Sequence, residues 1–222
     1  MKNASEFTSP PSDYNVIVPD GWFQLPLAPE HRDRGIMALA DQQFRGVDNA
    51  PHIKKQFMRE LQRRAKDAYN VGGTELYIST LTVGQLPLSS SLLISIPGPD
   101  EWPKIADPYD LAEHLASKST TSSEDREKPD ASDDPDEPDE SRAELDVVTL
   151  AAAGKAVRQR RRESPDPSSQ LGSTLPNTLV TYYVPIPATK SWLLLNFSTP
   201  MDPLADKMVE LFDVVAGTLH WD

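Results

Sequence analysis

A long stretch without a single large apolar side chain limits what this chain can fold into. It runs from Ser119 to Arg142, reads STTSSEDREKPDASDDPDEPDESR, and contains no Val, Ile, Leu, Met, Phe, Tyr or Trp. A segment with no apolar surface to bury cannot offset the backbone entropy lost on ordering, about 1–2 kcal/mol per residue. We therefore expect residues 119–143 to form a disordered acidic insert.

Two further polar segments interrupt the apolar parts of the chain. Residues 1–12 include several Ser and Pro residues, and Glu163 to Thr174 reads ESPDPSSQLGST. We expect the first to be disordered and residues 163–175 to form a polar loop. What remains of residues 13–222 suits one domain, since domains commonly have about 100–150 residues. The acidic insert is then a loop within a single domain.

The insert also carries most of the net charge. Ten acidic and three basic residues between Glu124 and Arg142 account for −7 of the chain's −12, so the rest is mildly anionic. Because affinity for nucleic acid comes mostly from cations placed on phosphates, we expect no nucleic-acid partner. The chain has no cysteine. Disulfides, thiolate nucleophiles and cysteine-ligated zinc are therefore excluded.

The sequence lacks the motifs that indicate export, a membrane span or a bound cofactor. The start of the chain, MKNASEFTSPPSDYNV, has no apolar core of the signal-peptide type. No run approaches the ~18 apolar residues of a membrane span. We therefore expect a cytoplasmic protein without a membrane partner. There is no P-loop, GxGxxG or GxSxG motif, and we expect no cofactor.

Apolar spacing predicts the elements in the order β-β-α-α-β-β-α, then the insert, then β-β-β-α. Runs of strands with few helices between them favour an antiparallel sheet covered by helices over a doubly wound fold. The sequence therefore predicts an α+β fold, an antiparallel β-sheet with helices packed on its faces.

Three of the predicted elements have bounds that the structure can test. The first strand is predicted at Val16–Val18, before Pro19. A strand is predicted from Leu145 to Arg161, with a bend or turn at Gly154. The last helix is predicted to start at Asp202, as an N-cap acid before a proline.

The residues near the first turn and at the C-terminal end resemble a known family. Val18-Pro19-Asp20-Gly21-Trp22, and the stretch Leu194–Pro200 leading to Glu210–Asp213 and Thr218–Trp221, are similar to the Mog1/PsbP-like α+β sandwich and to its uncharacterised actinobacterial branch. The resemblance implies helices on both faces of an antiparallel sheet. It also implies that the protein acts by binding partners, and that there are no active-site residues to carry over, since the group has no common catalytic set.

Two functions remain open from the sequence. The first is a non-enzymatic protein-binding or scaffold domain, with a protein partner and an undetermined oligomeric state. The alternative is a small-ligand-binding protein or an enzyme that uses a pocket between sheet and helices, with a histidine at its rim. The four histidines, at His31, His52, His114 and His220, have none of the spacings of a metal site. We therefore predict no catalytic or metal-binding residue.

Basic residues and one tryptophan are the candidates for partner contacts. Alternation along a strand predicts Arg158, Arg160 and Arg162 on one face of the sheet and Lys155 and Arg161 on the other. The candidate partner-binding residues are Trp102, Lys155, Arg158, Arg160, Arg161, Arg162, Arg59 and Arg63.

Two groups of acidic residues are expected to have different roles, those of the insert and those of the predicted last helix. The insert ends close to Lys155 in sequence, so we expect it to act as a tethered ligand of the arginines, at a high effective concentration. The carboxylates of Asp206, Glu210 and Asp213 lie three or four residues apart on the predicted last helix, where such groups usually act as solubilising charge.

Overall fold

The computed structural model describes residues 8–46, 51–84, 86–98, 102–124, 143–164 and 176–222, with the backbone alone at residues 86 and 119–124. The strands are Tyr14–Asn15 (β1), Trp22–Pro26 (β2), Gly73–Ser79 (β3), Thr82–Val83 (β4), Leu86–Pro87 (β5), Ser91–Ser95 (β6), Glu144–Leu150 (β7), Gly154–Glu163 (β8), Asn177–Pro185 (β9), Trp192–Thr199 (β10) and His220–Trp221 (β11). The helices are Pro29–Gln43 (α1), Pro51–Asn70 (α2), Pro108–Glu124 (α3) and Ala205–Gly217 (α4).

Seven of these strands form one sheet, in the order β2-β3-β6-β10-β9-β8-β7. Every neighbouring pair is antiparallel. The central strands β9 and β10 are apolar along most of their length because both of their faces are covered. The predicted α+β fold with an antiparallel sheet is confirmed.

Helices cover both faces of the sheet. Alternation along β10 sends Leu193, Leu195 and Phe197 toward α4 and Leu194 toward the face that carries α3. Helices α1 and α2 lie on the same face as α3, over β2, β3 and β6, and bury Leu25 among their own side chains. The molecule is therefore a three-layer sandwich in which α4 is the one α-helix on its face among the described residues.

The first predicted strand is displaced by a few residues. The structure pairs Tyr14–Asn15 with His220–Trp221, at the other end of the chain. Val16 and Val18 lie outside any strand and pack against the core that α4 covers. The prediction of a strand at Val16–Val18 was wrong because an apolar run next to a proline can be buried without joining a ladder.

The predicted strand from Leu145 to Arg161 is a hairpin. Strands β7 and β8 pair directly, from Glu144 opposite Arg160 to Leu150 opposite Gly154. Gly154 has a φ of 89°, a conformation that residues with a side chain rarely adopt. The glycine therefore marks the end of a tight turn, one of the two geometries predicted for it, and the predicted single strand is two strands.

The last helix begins later than predicted. Asp202 opens a single turn of 3-10 helix, Asp202–Leu204, and α4 follows from Ala205. The N-cap residue of this turn is Met201, and no side-chain cap hydrogen bond forms there. The Asp202 carboxylate is instead bound by Arg162 of β8, at 2.7 Å. The prediction of an N-cap at this residue was wrong because an arginine on the neighbouring strand competes for the carboxylate.

The structure describes parts of the three polar segments that were predicted from the sequence. Helix α3, whose first turn is capped by Asp107 through the amide of Tyr109 at 2.7 Å, continues to Glu124 and thus into the predicted insert. Once a helix is nucleated, each further residue adds a hydrogen bond without needing apolar burial. At the other end, the Ser12 amide donates to the Asp222 carbonyl at 3.0 Å. The rest of the predicted insert, most of residues 163–175, and residues 1–7 lie outside the described residues.

Candidate functional site

A row of arginines on β8 is joined to acidic residues of the α4 segment. Arg158 binds Asp213 at 2.8 Å, and Arg160 binds Asp206 at 2.6 Å. The pair of Arg162 and Asp202, described above, completes the row. The three arginines lie on the face of the sheet covered by α4, as strand alternation predicts. Their ion pairs connect β8, the strand next to β7, to α4 and to the 3-10 turn that precedes it.

Asp213 is the centre of a small hydrogen-bonding network. Its two carboxylate oxygens accept hydrogen bonds from the Nε and Nη2 atoms of Arg158 at 2.8 and 3.4 Å, and the hydroxyl of Tyr182 donates to the same group. Burial raises the pKa of Tyr182 above its ordinary value, and the hydrogen bond to Asp213 raises it further. The phenol therefore stays protonated and acts as a fixed donor.

These ion pairs were missed by the sequence analysis, which assigned Asp206 and Asp213 to solvated surface. The spacing of the acidic residues and of the arginines in the sequence was a signal for these ion pairs. Asp202 and Asp206 are four residues apart, about 6 Å along a helical segment, and Arg162 and Arg160 are two residues apart, about 7 Å along a strand. Matched repeats of opposite charge on a helix and a strand indicate that the two elements lie side by side.

An open cleft of about 560 Å³ lies where α4 ends above β7. Arg158, Tyr182 and Asp213 form one wall, and the other wall comes from the α4-facing side of β7. The full lining is Asp146, Val148, Thr149, Leu150, Arg158, Tyr182, Asp213 and Gly217. The cleft can receive a side chain or a small molecule that offers hydrogen-bond donors or a positive charge to its two carboxylates.

Strand β7 is the outermost strand at this end of the described sheet. It pairs with β8 along its whole length, and no strand of the described residues pairs with its other side. Leu145 of β7 packs into the cluster around Leu111 of α3, so this strand is packed against α3. The outer edge contains no proline, in contrast to β2 at the opposite end, which closes with Pro26.

The other predicted contact residues of this region lie on the α3 face. The Lys155 ammonium lies 4.6 Å from the centre of the Tyr109 ring and donates to its hydroxyl at 3.1 Å. Arg161 forms an exposed ion pair with Glu163 at 3.1 Å. Neither lies beside the arginines that face α4.

Trp102 is packed against the sheet on this same face. Its ring stacks on Tyr183 with 5.4 Å between ring centres, and it belongs to the cluster that includes Leu111 and Trp192. Trp102 thus packs against the sheet in this structure, and its predicted contact with a partner stays a prediction.

The two predicted residues on α2 lie apart from the arginine row. Arg63 binds Glu60 at 2.6 Å and Asp67 at 3.2 Å along the helix, and Arg59 is exposed. Hydrogen bonds from Arg63 and Arg64 hold the pKa of Glu60 at about 2, well below its ordinary value. The structure therefore brings together Arg158, Arg160 and Arg162, and leaves the α2 pair separate.

No histidine lines the cleft. His31 is exposed, and the carboxylate of nearby Asp33 accepts a hydrogen bond from Gln62 at 3.2 Å. His114 is half-buried on α3, with its Nε2 atom shielded from water. The alternative function thus has its pocket between sheet and helix, without the predicted histidine at its rim. Among the described residues, no three acidic or histidine side chains come close enough to hold a metal ion.

Comparison with known proteins adds little to this description. No protein-family model and no curated protein matches the sequence. The chain is similar in structure to cyanobacterial PsbP (CyanoP) from Synechocystis sp. PCC 6803, a solution structure, over 94% of this chain and 86% of that chain, with 12% sequence identity and a TM-score of 0.37. Within the described residues, no helix has the length and apolar character needed to cross a bilayer. The architecture given above therefore stands on the strand order and packing of the chain itself.

Proposed function

We propose that this chain is a non-enzymatic protein-binding or scaffold domain that accepts an extended segment of its partner along the outer edge of β7. One observation carries the proposal: within the described residues, β7 is paired on one side only. The unpaired backbone amides and carbonyls of an edge strand are a template for another strand. Main-chain hydrogen bonds would supply affinity, as in other cases of strand addition.

The surroundings of β7 support this role. The strand has seven residues, is paired with β8 throughout, and rests on α3 through Leu145. A template that is already ordered loses little conformational entropy when a partner binds. The adjoining cleft, lined by Asp146 and Asp213 among others, offers a place for side chains of the added strand. An edge and a cleft together could give both affinity and selectivity.

The earlier candidates take different parts in this proposal. The arginines that face α4 hold the cleft wall in place through their ion pairs, and direct contact of Lys155, Arg161, Arg59, Arg63 and Trp102 with a partner stays a prediction. Membership of the Mog1/PsbP-like family and of its actinobacterial branch, and a cytoplasmic location, also stay predictions.

Site-specific crosslinking in the native host tests the proposed function. A photo-reactive amino acid in place of Asp146 is expected to form an adduct with an extended segment of the partner, because that side chain lies on β7 beside the cleft. The matched control carries the same group in place of Asp20, an exposed acid in the turn before β2. Adducts mapped by mass spectrometry should be confined to the first protein. Equal labelling at both positions, or none at Asp146, would contradict the proposal.

A further inference from the structure

The side of β7 that faces α4 has more negative than positive charge. Glu144 and Asp146 are exposed on this side, opposite Arg160 and Arg158 of β8 in the ladder. Those two arginines are already bound by Asp206 and Asp213 of α4. Each arginine thus has a carboxylate from the helix, and the carboxylates of the edge strand form no ion pair with the described residues.

Asp213 is also partly exposed. Its side chain keeps 43% of its accessible surface although it is bound by Arg158 and Tyr182. It lines the cleft together with Asp146. A group that enters the cleft from the outer edge of β7 therefore meets two carboxylates, with Arg158 already held against one of them.

These charges disfavour a second copy of the chain as the added strand. Antiparallel pairing of β7 with itself, centred on Val147, would place the two Asp146 side chains diagonally on the same face, within reach of each other. Each copy would also contribute a net charge of −12. Acidic residues on an edge strand are a known means of preventing self-pairing. A partner of opposite charge escapes this repulsion.

We infer that the segment added to β7 belongs to a basic partner and carries Lys or Arg opposite Asp146 and Glu144. This inference rests on the proposed function. An antiparallel segment continues the pattern of the sheet, in which every neighbouring pair is antiparallel. Its side chains alternate between the two faces, so the two basic residues are separated by one residue.

The remaining positions of the partner follow from the same register. Residues opposite Leu145 and Val147 lie on the α3 face, where Leu145 belongs to an apolar cluster, and should be apolar. The residue opposite Val148 lies on the α4 face beside the cleft and should also be apolar. Read from its N-terminus, opposite Thr149 onward, the segment is polar, apolar, apolar, basic, apolar, basic. The basic residue opposite Asp146 lies beside the cleft that Asp213 also lines.

Three synthetic peptides test this pattern on the full chain. The basic probe contains the sequence TVVKVK between Gly/Ser flanks, and the acidic and neutral probes contain TVVEVE and TVVTVT. Fluorescence anisotropy is expected to show that the basic probe binds about tenfold or more tightly than the acidic one, because two attractive cross-strand pairs become two repulsive ones. Hydrogen exchange should slow at those β7 amides that exchange fastest in the free chain.

Charge reversal supplies the matched control. The double variant Glu144→Lys, Asp146→Lys should reverse the preference and bind the acidic probe better. Asp20→Lys makes a similar charge change in the turn before β2, at the far end of the sheet, and should leave the preference unchanged.

The possible outcomes separate the inference from the proposed function. If all three probes slow exchange in β7 with equal affinity, the edge accepts strands and the inference of a basic partner is overturned. If the basic probe binds but the double variant does not alter its preference, the inference is overturned as well. If no probe slows exchange in β7, both the inference and the proposed function fail. Protection of β7 through dimers of the chain alone would also overturn the inference.

Discussion

Replacement of Phe212 by alanine is expected to lower the free energy of unfolding by about 3–5 kcal/mol, the range found for large aromatic side chains deleted from a core. Phe212 has no accessible surface and stacks on Phe197 of β10 at 4.8 Å between ring centres. Tyr182 meets the same Phe197 ring edge-on. The deletion would leave a cavity where α4 is attached to the sheet, and α4 forms one wall of the cleft.

Denaturant unfolding followed by circular dichroism measures this effect. The matched control is Val214→Ala, on the same helix, because Val214 is 68% exposed. The control is expected to change stability by no more than about 0.5 kcal/mol. Similar losses in both variants would mean that α4 does not pack on the sheet through the face described here.

The Asp213→Ala substitution is expected to lower the free energy of unfolding by about 1–3 kcal/mol. It leaves the mostly buried guanidinium of Arg158 and the buried hydroxyl of Tyr182 without the acceptor that they share. The Arg158 side chain is only 14% exposed, and Tyr182 is 2% exposed. Burial acts to lower the pKa of Arg158, but its hydrogen bonds to Asp213 and Tyr182 outweigh this effect and raise the pKa. A guanidinium stays protonated in proteins, so Arg158 keeps its charge when Asp213 is removed. The uncompensated charge is the main source of the cost.

The neighbouring pair gives a control of the same chemistry. Asp206 is 80% exposed in its ion pair with Arg160, and Asp206→Ala should cost at most about 1 kcal/mol. Thermal unfolding of the two variants under identical conditions compares them directly. An equal loss of stability in both variants would show that the burial of Arg158 and Tyr182 contributes nothing to stability. It would contradict the claim that their bonds to Asp213 hold the cleft wall in place.

Much of the fold follows from sequence periodicity. Apolar residues recur every four positions from Ile53 to Ala65, where the structure has α2. Apolar runs lie at Leu179 and Trp192, where the structure has the central strands. Alternation along β8 correctly separated Arg158 from Lys155. These patterns are local, and the periods of a helix and a strand are fixed by backbone geometry.

The candidate site was harder to predict because it depends on which elements are neighbours. Nothing local in Asp202 or Asp213 distinguishes a solvated acid from one bound by an arginine on another element. The edge position of β7 likewise depends on the order of all seven strands in the sheet. The apolar pattern of an individual strand does not specify that order. A bend or turn at Gly154 was predicted, because a glycine inside a long strand pattern marks such a site, and the structure has the turn.

Hydrogen exchange along β7 in the free chain tests the central claim most directly. If the outer edge is open, amides from Glu144 to Leu150 should alternate between slow exchange, where they face β8, and fast exchange, where they face outward. Amides along β9, which has a partner on each side, should be slow throughout. NMR spectroscopy can follow both strands in one sample. Alternating rates in β7 beside uniform protection in β9 are the predicted result, and uniform protection in β7 would show that its edge is already occupied.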